Sequence, residues 1–304
     1  MNTQLSLYEK ISEMNATIAF PFNFENEKDV TSHVFLPANN STEHIVMRKI
    51  SIFLVLLFVG SIACSQDYRQ EADKHSAATN QYGIKMVFVQ GGTFMMGCTS
   101  EQGNDCDIDA KPAHQVTLSD FYIGQYEVTQ KQWKDIMGIN ANPSYFKGDS
   151  LPVENISWDE LQEFIRKLNV RTNKNFRLPT EAEWEYACRG GVESDPYKYS
   201  GSNMAGKVAW YRENSGGQPH PVGLKSPNKL GLYDMCGNVW EWCSDWKGAY
   251  SSDSQTNPTG PPSGPRRIVR GGSWNSDAWH MRALYRDSSI PGGHLGFRLV
   301  CNSN

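Results

Sequence analysis

The sequence has no excess of basic charge and no basic cluster. Lys and Arg number 29 against 33 Asp and Glu, which gives a formal net charge of −4 at pH 7. A nucleic-acid-binding surface needs concentrated positive charge to neutralise phosphates, so this balance argues against a nucleic-acid partner. Internal repeats and low-complexity blocks are also lacking. One compact domain of roughly 220 residues, enough for a sizeable core, is therefore expected.

A long hydrophobic run is lacking as well. The apolar run from Ile50 to Val59 is too short for a comfortable membrane span. It follows a basic pair and precedes small residues and Cys64, a pattern that resembles the signal peptide of a bacterial lipoprotein. We expect translation to begin at Met47, residues 47–63 to be the signal peptide, and residues 1–46 to be an upstream extension from a misplaced start. The alternative is a signal anchor that leaves residues 1–46 as a cytoplasmic tail.

Lipidation of Cys64 would anchor the protein to a membrane of the bacterial envelope, on its periplasmic face or at the cell surface. Residues 64–81 are polar and are expected to form a tether, with the domain at residues 82–303. Such a compartment is oxidising and permits disulfides. The polar loop bracketed by Cys98 and Cys106 is therefore expected to be closed by a disulfide. Sequence alone leaves the pairing of the remaining cysteines open: Cys188, Cys236, Cys243 and Cys301.

Three helices are predicted from their starting residues. Ser157 and Glu160 have the spacing of a capping box, in which each side chain bonds the other residue's backbone amide. Thr180 and Glu183 have the same spacing and predict a second helix. Thr129 is expected to cap a shorter one. Apolar residues at helical spacing mark the core face of the first helix: Trp158, Leu161, Phe164, Ile165 and Leu168.

Alternating apolar residues predict strands early in the domain. Residues 84–90 alternate and lead into Gly91-Gly92, which we interpret as a turn, with residues 93–97 as the returning strand. Residues 114–129 are also strand-like. Their core-facing side chains are expected to be Val116, Leu118, Phe121 and Ile123. Residues 190–231 are rich in Pro and Gly and are predicted to be mostly loop, a type of segment that often carries function.

The stretch from Gly231 to Trp246, GLYDMCGNVWEWCSDW, fits neither a helical nor a strand period. Its Gly237-Asn238 pair tolerates positive φ and indicates a turn. Tryptophans this close together bring apolar area that must be covered, so the segment is expected to be buried. Buried irregular backbone needs partners that no regular ladder supplies. The carboxylates of Asp234 and Glu241 are placed to hold a hard cation there.

This stretch resembles the central motif of the sulfatase-modifying-factor family, whose best-known members are formylglycine-generating enzymes. Further segments match that family in the same order: GGTFMMG (Gly91 to Gly97), FRLPTEAEWEYACRGG (Phe176 to Gly191), RGGSW (Arg270 to Trp274) and LGFR (Leu295 to Arg298). The resemblance implies the formylglycine-generating-enzyme fold, an elaborated C-type-lectin-like α+β domain with high loop content. It implies less about chemistry, because one fold hosts many functions.

In that family, the central motif holds a calcium ion. The positions that match its ligands are the side chains of Asp234 and Glu241 and the carbonyl groups of Gly237 and Val239. Carboxylates, and carbonyls freed by irregular backbone, are oxygen ligands that suit a hard cation. The resemblance therefore implies structural calcium as a cofactor. The alternative is a buried carboxylate pair that is hydrogen-bonded to backbone amides.

The family's oxidases bind copper through two cysteines that follow the Arg-Gly-Gly-Ser sequence, since soft thiolates suit Cu(I). Residues 274–298 of this chain contain no cysteine. The matching residues are not thiols: Ser276, Asp277, Ala278 and Met281. Copper is therefore not expected.

Other residues of the family's active cleft have counterparts here. Ser273 and Trp240 match, whereas His294 replaces an asparagine before Leu-Gly-Phe-Arg. His280, Met281 and His294 have side chains able to bind a metal, but isolated His and Met beside aromatic residues are more often surface or packing residues. We expect the cleft to persist without copper.

Two functions follow from these expectations. The first is a calcium-stabilised envelope lipoprotein without oxidase activity, which acts as a binding, structural or accessory protein for a protein or glycan partner. The second is a formylglycine-generating oxidase that converts a sulfatase cysteine through an altered metal site. The absent thiols favour the first.

The start site and the lipid anchor are tested together. Radiolabelled palmitate is expected to enter the wild-type protein and not Cys64→Ala, because the thiol of Cys64 initiates lipid attachment. Mass spectrometry of the mature protein is expected to place its N-terminus at Cys64. Recovery of an unlipidated chain that begins at Met1 would contradict both the start site and the anchor.

Overall fold

Four small sheets and four α-helices make up the described chain, which covers residues 78–103, 105–288 and 293–303 of this computed structural model. The helices are α1 Gln130–Met137, α2 Trp158–Thr172, α3 Glu181–Arg189 and α4 Ala205–Val208. The strands are β1 Ala78–Thr79, β2 Lys85–Val89, β3 Gly92–Met96, β4 His114–Leu118, β5 Phe121–Gly124, β6 Phe176–Arg177, β7 Ala209–Trp210, β8 Cys236–Gly237, β9 Trp240–Trp246, β10 Gln255–Thr256, β11 Arg267–Arg270, β12 Arg286–Ser288, β13 Leu295–Gly296 and β14 Val300–Asn302. The predicted signal peptide and Cys64 lie outside the described residues. Among the helices described, none has the length and apolarity to cross a bilayer.

Strand pairing brings distant parts of the chain together. A five-stranded antiparallel sheet has the order β1-β2-β5-β14-β6, so the last strand of the chain lies between two earlier ones. A three-stranded sheet has the order β10-β4-β3, and a four-stranded sheet has the order β12-β11-β9-β13. Strands β7 and β8 form a parallel pair. Separate helices and mostly antiparallel strands confirm the α+β class.

The three longer helices begin where their capping residues predict. Ser157 Oγ accepts from the backbone N of Glu160 at 3.3 Å, and the Glu160 carboxylate accepts from Ser157 N at 2.9 Å. Thr180 and Thr129 begin α3 and α1 with the same reciprocal arrangement. Trp158 is only half-buried, but the rest of the predicted core face of α2 is buried: Leu161, Phe164, Ile165 and Leu168.

The predicted hairpin around Gly91-Gly92 is wrong. Strand β2 pairs with β5, whereas β3 pairs with β4, so the two strands belong to different sheets. Gly91 lies against the β4–β5 connection, where its backbone N donates to Asp120 Oδ1 at 2.7 Å. The single strand-like segment predicted at residues 114–129 is in fact β4, β5 and the chain that follows. Alternation identifies the two faces of a strand but not its partner, which is why the pairing was missed.

The folded domain begins earlier than expected. Residues 78–79 were assigned to the tether, yet they form β1 and pair with β2. Asn80 Oδ1 accepts hydrogen bonds from the backbone N of Tyr82 at 2.9 Å and of Ile84 at 3.1 Å. An asparagine side chain that bonds the backbone ahead of it stabilises a turn, and this turn joins β1 to β2.

Two apolar clusters fill the space between these elements. One surrounds α3. The other packs α1 against α2, where the rings of Trp133 and Phe164 stack at 5.1 Å and Phe297 contacts Phe164 at 5.3 Å between ring centroids. Strand β9 contributes Cys243 to the first cluster and Trp242 to the second, because successive side chains of a strand point to opposite faces. The central stretch therefore lies between the two cores.

Candidate functional site

The central stretch is mostly buried, as predicted, but the predicted irregular backbone is found only before residue 240, because residues 240–246 form the regular strand β9. It forms β8 and β9 joined by a turn, with Asp234, Gly237 and Asn238 at positive φ angles of 56°, 80° and 61°. A Cβ at Gly237 would lie 2.2 Å from the carbonyl oxygen of Trp210, so only glycine fits this approach. Asp234 is 2% exposed and Glu241 is fully buried.

Glu241 forms a buried ion pair with Arg298. Its Oε1 accepts from Nη2 of Arg298 at 2.6 Å, and its Oε2 accepts from Nε of Arg298 and from Nε1 of Trp184, both at 2.7 Å. None of these three side chains is exposed. Arg298 also donates to the carbonyl oxygens of Gly124 and Tyr233, each at 3.0 Å. Glu241 therefore has a structural role that the sequence analysis did not assign to it.

Two further carboxylates lie beside this pair. Asp234 Oδ2 accepts from the backbone N of Gly223 at 2.7 Å, but Oδ1 is buried and has no hydrogen-bond partner within the described residues. Burial raises the pKa of Asp234 to about 6. Glu127 accepts from Nδ2 of Asn238 at 2.6 Å and from the backbone N of Val239 at 3.0 Å. Burial, and then the charge of Asp234, raises the pKa of Glu127 well above its usual range.

Glu127, Asp234 and Glu241 are termed the carboxylate cluster, because their buried side chains interact electrostatically. Its three carboxylates and the one guanidinium leave a charge of −2 when all are ionised, and a buried charge needs compensation by protons or a cation. Asp234 Oδ1 has no partner and Glu241 Oε1 accepts a single bond, so both keep lone pairs for a cation. The described residues contain no group of three or more His, Cys, Asp or Glu side chains that could hold a metal. The backbone carbonyls of Gly237 and Val239 would therefore have to complete the ligand set.

The cleft candidates lie among aromatic rings. The ring centroid of Trp240 is 6.4 Å from that of His280 and 6.0 Å from that of Tyr285. The rings of Trp274 and His294 are 4.4 Å apart. The carbonyl oxygen of His294 accepts from the backbone N of Trp240 at 2.8 Å, which joins the two groups. These five residues are termed the aromatic cluster, and they bring the predicted Trp240 and His294 together.

Two ring nitrogens of the aromatic cluster lack partners. Trp274 Nε1 and His280 Nδ1 are buried and make no hydrogen bond within the described part of the chain. Trp274 is 8% exposed, whereas the other four residues are half-buried. An unsatisfied buried donor costs about 1–3 kcal/mol, so a ligand that supplies an acceptor to Trp274 would be stabilised there.

Ser273, the third cleft candidate, is buried next to Trp274 in the chain. It is 1% exposed, and its Oγ lies 3.1 Å from Oγ of Ser276. Met281 is fully buried, and a Cβ on Gly272 would lie 1.8 Å from its Cε. The segment after Arg-Gly-Gly-Ser therefore presents hydroxyl groups and a buried thioether.

The cysteines of the described chain are one disulfide and four free thiols. Cys98 and Cys106 are joined, with an Sγ–Sγ distance of 2.02 Å. The free thiols are buried in Cys188, Cys236 and Cys243 and half-buried in Cys301. Burial raises the pKa of the Cys236 and Cys243 thiols well above the usual range. Thiolates, the form that binds copper, are therefore disfavoured in both.

Known proteins of the family that the sequence motifs resemble are similar to this chain in both sequence and fold. Residues 71–303 match the family model of the sulfatase-modifying factor enzyme 1-like domain. The chain is 36% identical to the chaperone protein LppX of Paenibacillus barcinonensis, over 84% of this chain and 99% of that protein. It is 38% identical to the formylglycine-generating enzyme of Streptomyces coelicolor, over 70% of this chain and 87% of that one. Among solved structures, Treponema denticola variable protein 1 superposes with a TM-score of 0.67 at 33% identity, and the match covers 75% of this chain and 98% of that one.

The buried ion pair gives a stability prediction. Arg298→Met is expected to lower the free energy of unfolding by about 3–5 kcal/mol, because it leaves the Glu241 carboxylate buried without its partner. Arg166→Met is the matched control, since Arg166 pairs with Glu163 at the surface with 63% and 38% of the two side chains exposed. Its expected cost is small, because solvent screens the exposed pair. Urea unfolding of both variants measures the difference.

Adding Glu241→Gln to Arg298→Met is expected to recover part of the loss, because the uncompensated charge is removed. Equal costs for Arg298→Met and Arg166→Met would show that the buried pair does not hold the fold.

Proposed function

This chain belongs to the family of sulfatase-modifying factor enzyme 1-like domains, and from that premise we propose that it is a calcium-stabilised envelope lipoprotein that binds a partner and does not oxidise cysteine. The partner is a protein or a glycan of the envelope, and the protein has a binding or accessory role towards it. The observation that carries this proposal is the chemistry of residues 274–298.

The copper-dependent reaction needs two thiolates that residues 274–298 do not contain. The hydroxyl group of Ser276 is a hard ligand and is already hydrogen-bonded to Ser273. The thioether of Met281 is soft, but it is packed under Gly272 with no exposure. These two residues therefore offer no soft pair for Cu(I).

Similarity by itself does not separate the two functions. A relative named as a chaperone is 36% identical to this chain, and a relative named as a formylglycine-generating enzyme is 38% identical. The first aligns with 99% of its own length, which supports a shared domain organisation. The ligand chemistry supports the first of the two functions, because an oxidase of this kind needs soft metal ligands to activate oxygen.

The aromatic cluster supports the binding role. Four of its five residues are half-buried, so part of each remains exposed to solvent. The unpartnered Trp274 Nε1 supplies a donor that an acceptor on a ligand satisfies. Aromatic side chains with one polar handle are common at protein interfaces for this reason. Peptide carbonyls and sugar hydroxyls both provide such acceptors.

The carboxylate cluster supports the calcium assignment. Asp234, Glu241 and the carbonyl groups of Gly237 and Val239 would hold the ion, and its charge would neutralise the cluster. Calcium is a hard cation that accepts carboxylate and carbonyl oxygens in flexible geometry. Its role here is structural, since the cluster is buried between the two cores.

The absence of oxidase activity is tested with a peptide substrate. Purified protein supplied with copper, oxygen, a thiol reductant and a peptide containing Cys-X-Pro-X-Arg is expected to leave the cysteine unconverted, because residues 274–298 present no thiolate. Mass spectrometry of the peptide measures conversion to the aldehyde.

The matched control is the double variant Ser276→Cys, Met281→Cys. It is expected to retain Cu(I) after desalting, whereas the wild-type protein does not. Conversion of the peptide by the wild-type protein would overturn the non-oxidase proposal.

The calcium proposal is tested by thermal unfolding. The melting temperature is expected to fall when calcium is chelated, because a ligand at 100 times its Kd stabilises the folded state by about 2.7 kcal/mol. Asp234→Asn is expected to reduce that difference, since it weakens the oxygen ligand whose Oδ1 is unpartnered. Asp245→Asn, which changes a buried carboxylate outside the cluster, is expected to leave it unchanged.

Protons and calcium compete for the same carboxylate cluster. Burial raises the pKa of Asp234 in the folded state to about 6, from about 4 for an exposed aspartate. Its stabilising contribution in chelator is therefore present below pH 4 and lost as the pH rises through about 6, and calcium is expected to reverse that loss. A melting temperature indifferent to chelator at pH 7.5 would show that hydrogen bonds alone hold the carboxylates.

A further inference from the structure

A cavity at the N-terminal end of α3 has no part in the function proposed above. Its volume is about 310 Å³, and it lies between the start of α3, β9, β12 and the loop of residues 248–261. None of its lining residues belongs to the aromatic cluster or to the carboxylate cluster. Its charged lining groups belong to Glu181, Asp245 and Arg286.

The guanidinium group of Arg286, which lines the cavity, already donates hydrogen bonds to protein atoms. Arg286 donates to both carboxylate oxygens of Glu181, at 2.8 Å and 2.6 Å, and to the carbonyl oxygens of Asp109 and Gly248, at 3.1 Å and 2.8 Å. Four of its five N–H groups are therefore used. The hydroxyl of Tyr250 donates to Glu181 Oε1 at 3.2 Å. An anionic ligand would find no free cation here.

Asp245 is the charged lining group whose hydrogen bonding is incomplete. It is 4% exposed, and its Oδ2 accepts from the backbone N of Glu181 and from Oγ of Ser244, both at 3.0 Å. Its Oδ1 accepts no hydrogen bond from the described residues. That atom lies on the Gly260 side, where a Cβ would be 3.2 Å from it. Burial, and then the negative charge of Glu181, raises the pKa of Asp245 to about 7.

A second acceptor lines the same cavity. His114 is 3% exposed, and its Nδ1 lies 3.2 Å from the carbonyl oxygen of Pro112. In that arrangement Nδ1 donates, which leaves Nε2 as an acceptor. The cavity thus offers an unpaired carboxylate oxygen and an imidazole nitrogen, both of which accept from a ligand N–H.

Two other ligand classes fit the cavity poorly. A sugar would stack on an aromatic face, but Arg267 covers the ring of Trp246 at 3.5 Å and Arg286 covers that of Tyr250 at 3.9 Å. A metal ion would need several free acidic or imidazole ligands, and no group of three that could hold one is found within the described chain. Both oxygens of Glu181 are already bound to Arg286.

We propose that this cavity binds an organic cation, the ammonium or guanidinium group of a basic side chain or of a small amine, with Asp245 Oδ1 as its anionic acceptor. The N–H groups of the cation complete the hydrogen bonding of Asp245 and His114, and its charge offsets that of Asp245, since Glu181 is already paired with Arg286. The apolar stem of such a ligand packs against the walls formed by Met96, Pro258 and Pro261.

Isothermal titration calorimetry with Nα-acetyl-lysine amide, Nα-acetyl-arginine amide and n-butylammonium tests the proposal. Nα-acetyl-norleucine amide, which has a similar stem without charge, is the ligand control. At least one cationic probe is expected to bind the wild-type protein, and its affinity is expected to fall at least tenfold in Asp245→Asn, because a neutral amide replaces the anionic acceptor. Asp234→Asn is the control for an unrelated buried carboxylate and is expected to bind as the wild type does.

Ala249→Trp gives an independent check, since it places a bulky side chain at the cavity wall and leaves Asp245 intact. It is expected to abolish binding while circular dichroism remains unchanged. Binding of an amide but not of n-butylammonium would assign the cation to a peptide side chain, and the reverse would assign it to a free amine. The absence of heat with all three cations, equal binding of the norleucine amide, or undiminished binding to Asp245→Asn would overturn the proposal.

Discussion

The Arg298–Glu241 ion pair is the interaction on which the rest of the structure depends. Arg298 follows β13 and reaches the carbonyl oxygen of Gly124 at the end of β5, while Glu241 on β9 accepts from Trp184 of α3. One contact thus joins a helix to strands of two sheets that share no ladder. Apolar packing is non-directional and does not fix such an arrangement by itself. A buried ion pair does, because displacing either partner leaves an uncompensated charge.

Buried ion pairs also fix the position of helix α3. Its carboxylates at Glu181 and Glu185 are buried, and they pair with Arg286 on β12 and Arg270 on β11. The buried face of α3 therefore carries acidic side chains as well as Trp184. Hydrophobic periodicity would have placed those glutamates in solvent, since an isolated buried carboxylate is too costly to form. Paired with arginines from the strands, they orient α3 against the four-stranded sheet and leave one wall of the Asp245 cavity charged.

Local features were predictable from the sequence and long-range ones were not. The starts of the longer helices followed from capping residues such as Ser157, because the two partners of a capping box are three residues apart. The pairing of β14 with β5 and β6 was not foreseen, because strand alternation carries no information about the partner. The burial of Asp234 and Glu241 was foreseen from their motif. The ion pair of Glu241 was missed even though Arg298 stands in a quoted motif, and Glu127 was missed because nothing in its own neighbourhood marks it as buried.

Arginines that hold the fold and candidate binding groups differ in how fully their hydrogen-bonding atoms are used, although Arg270 Nε also lacks a partner within the described residues. Arg298 and Arg286 each have four of their five N–H groups engaged, so they hold the fold and offer little to a ligand. Asp234 Oδ1 and Trp274 Nε1 are buried without partners within the described residues, and Asp245 lines a cavity. Buried polar atoms are almost always hydrogen-bonded in folded proteins, so an unpartnered atom marks a position where a ligand, a proton or an ion would be stabilised. The proposals above assign a different partner to each of these three groups: a hard cation to the carboxylates, an acceptor to the indole and an organic cation to Asp245. Under those proposals, the three positions differ in chemistry and are tested separately.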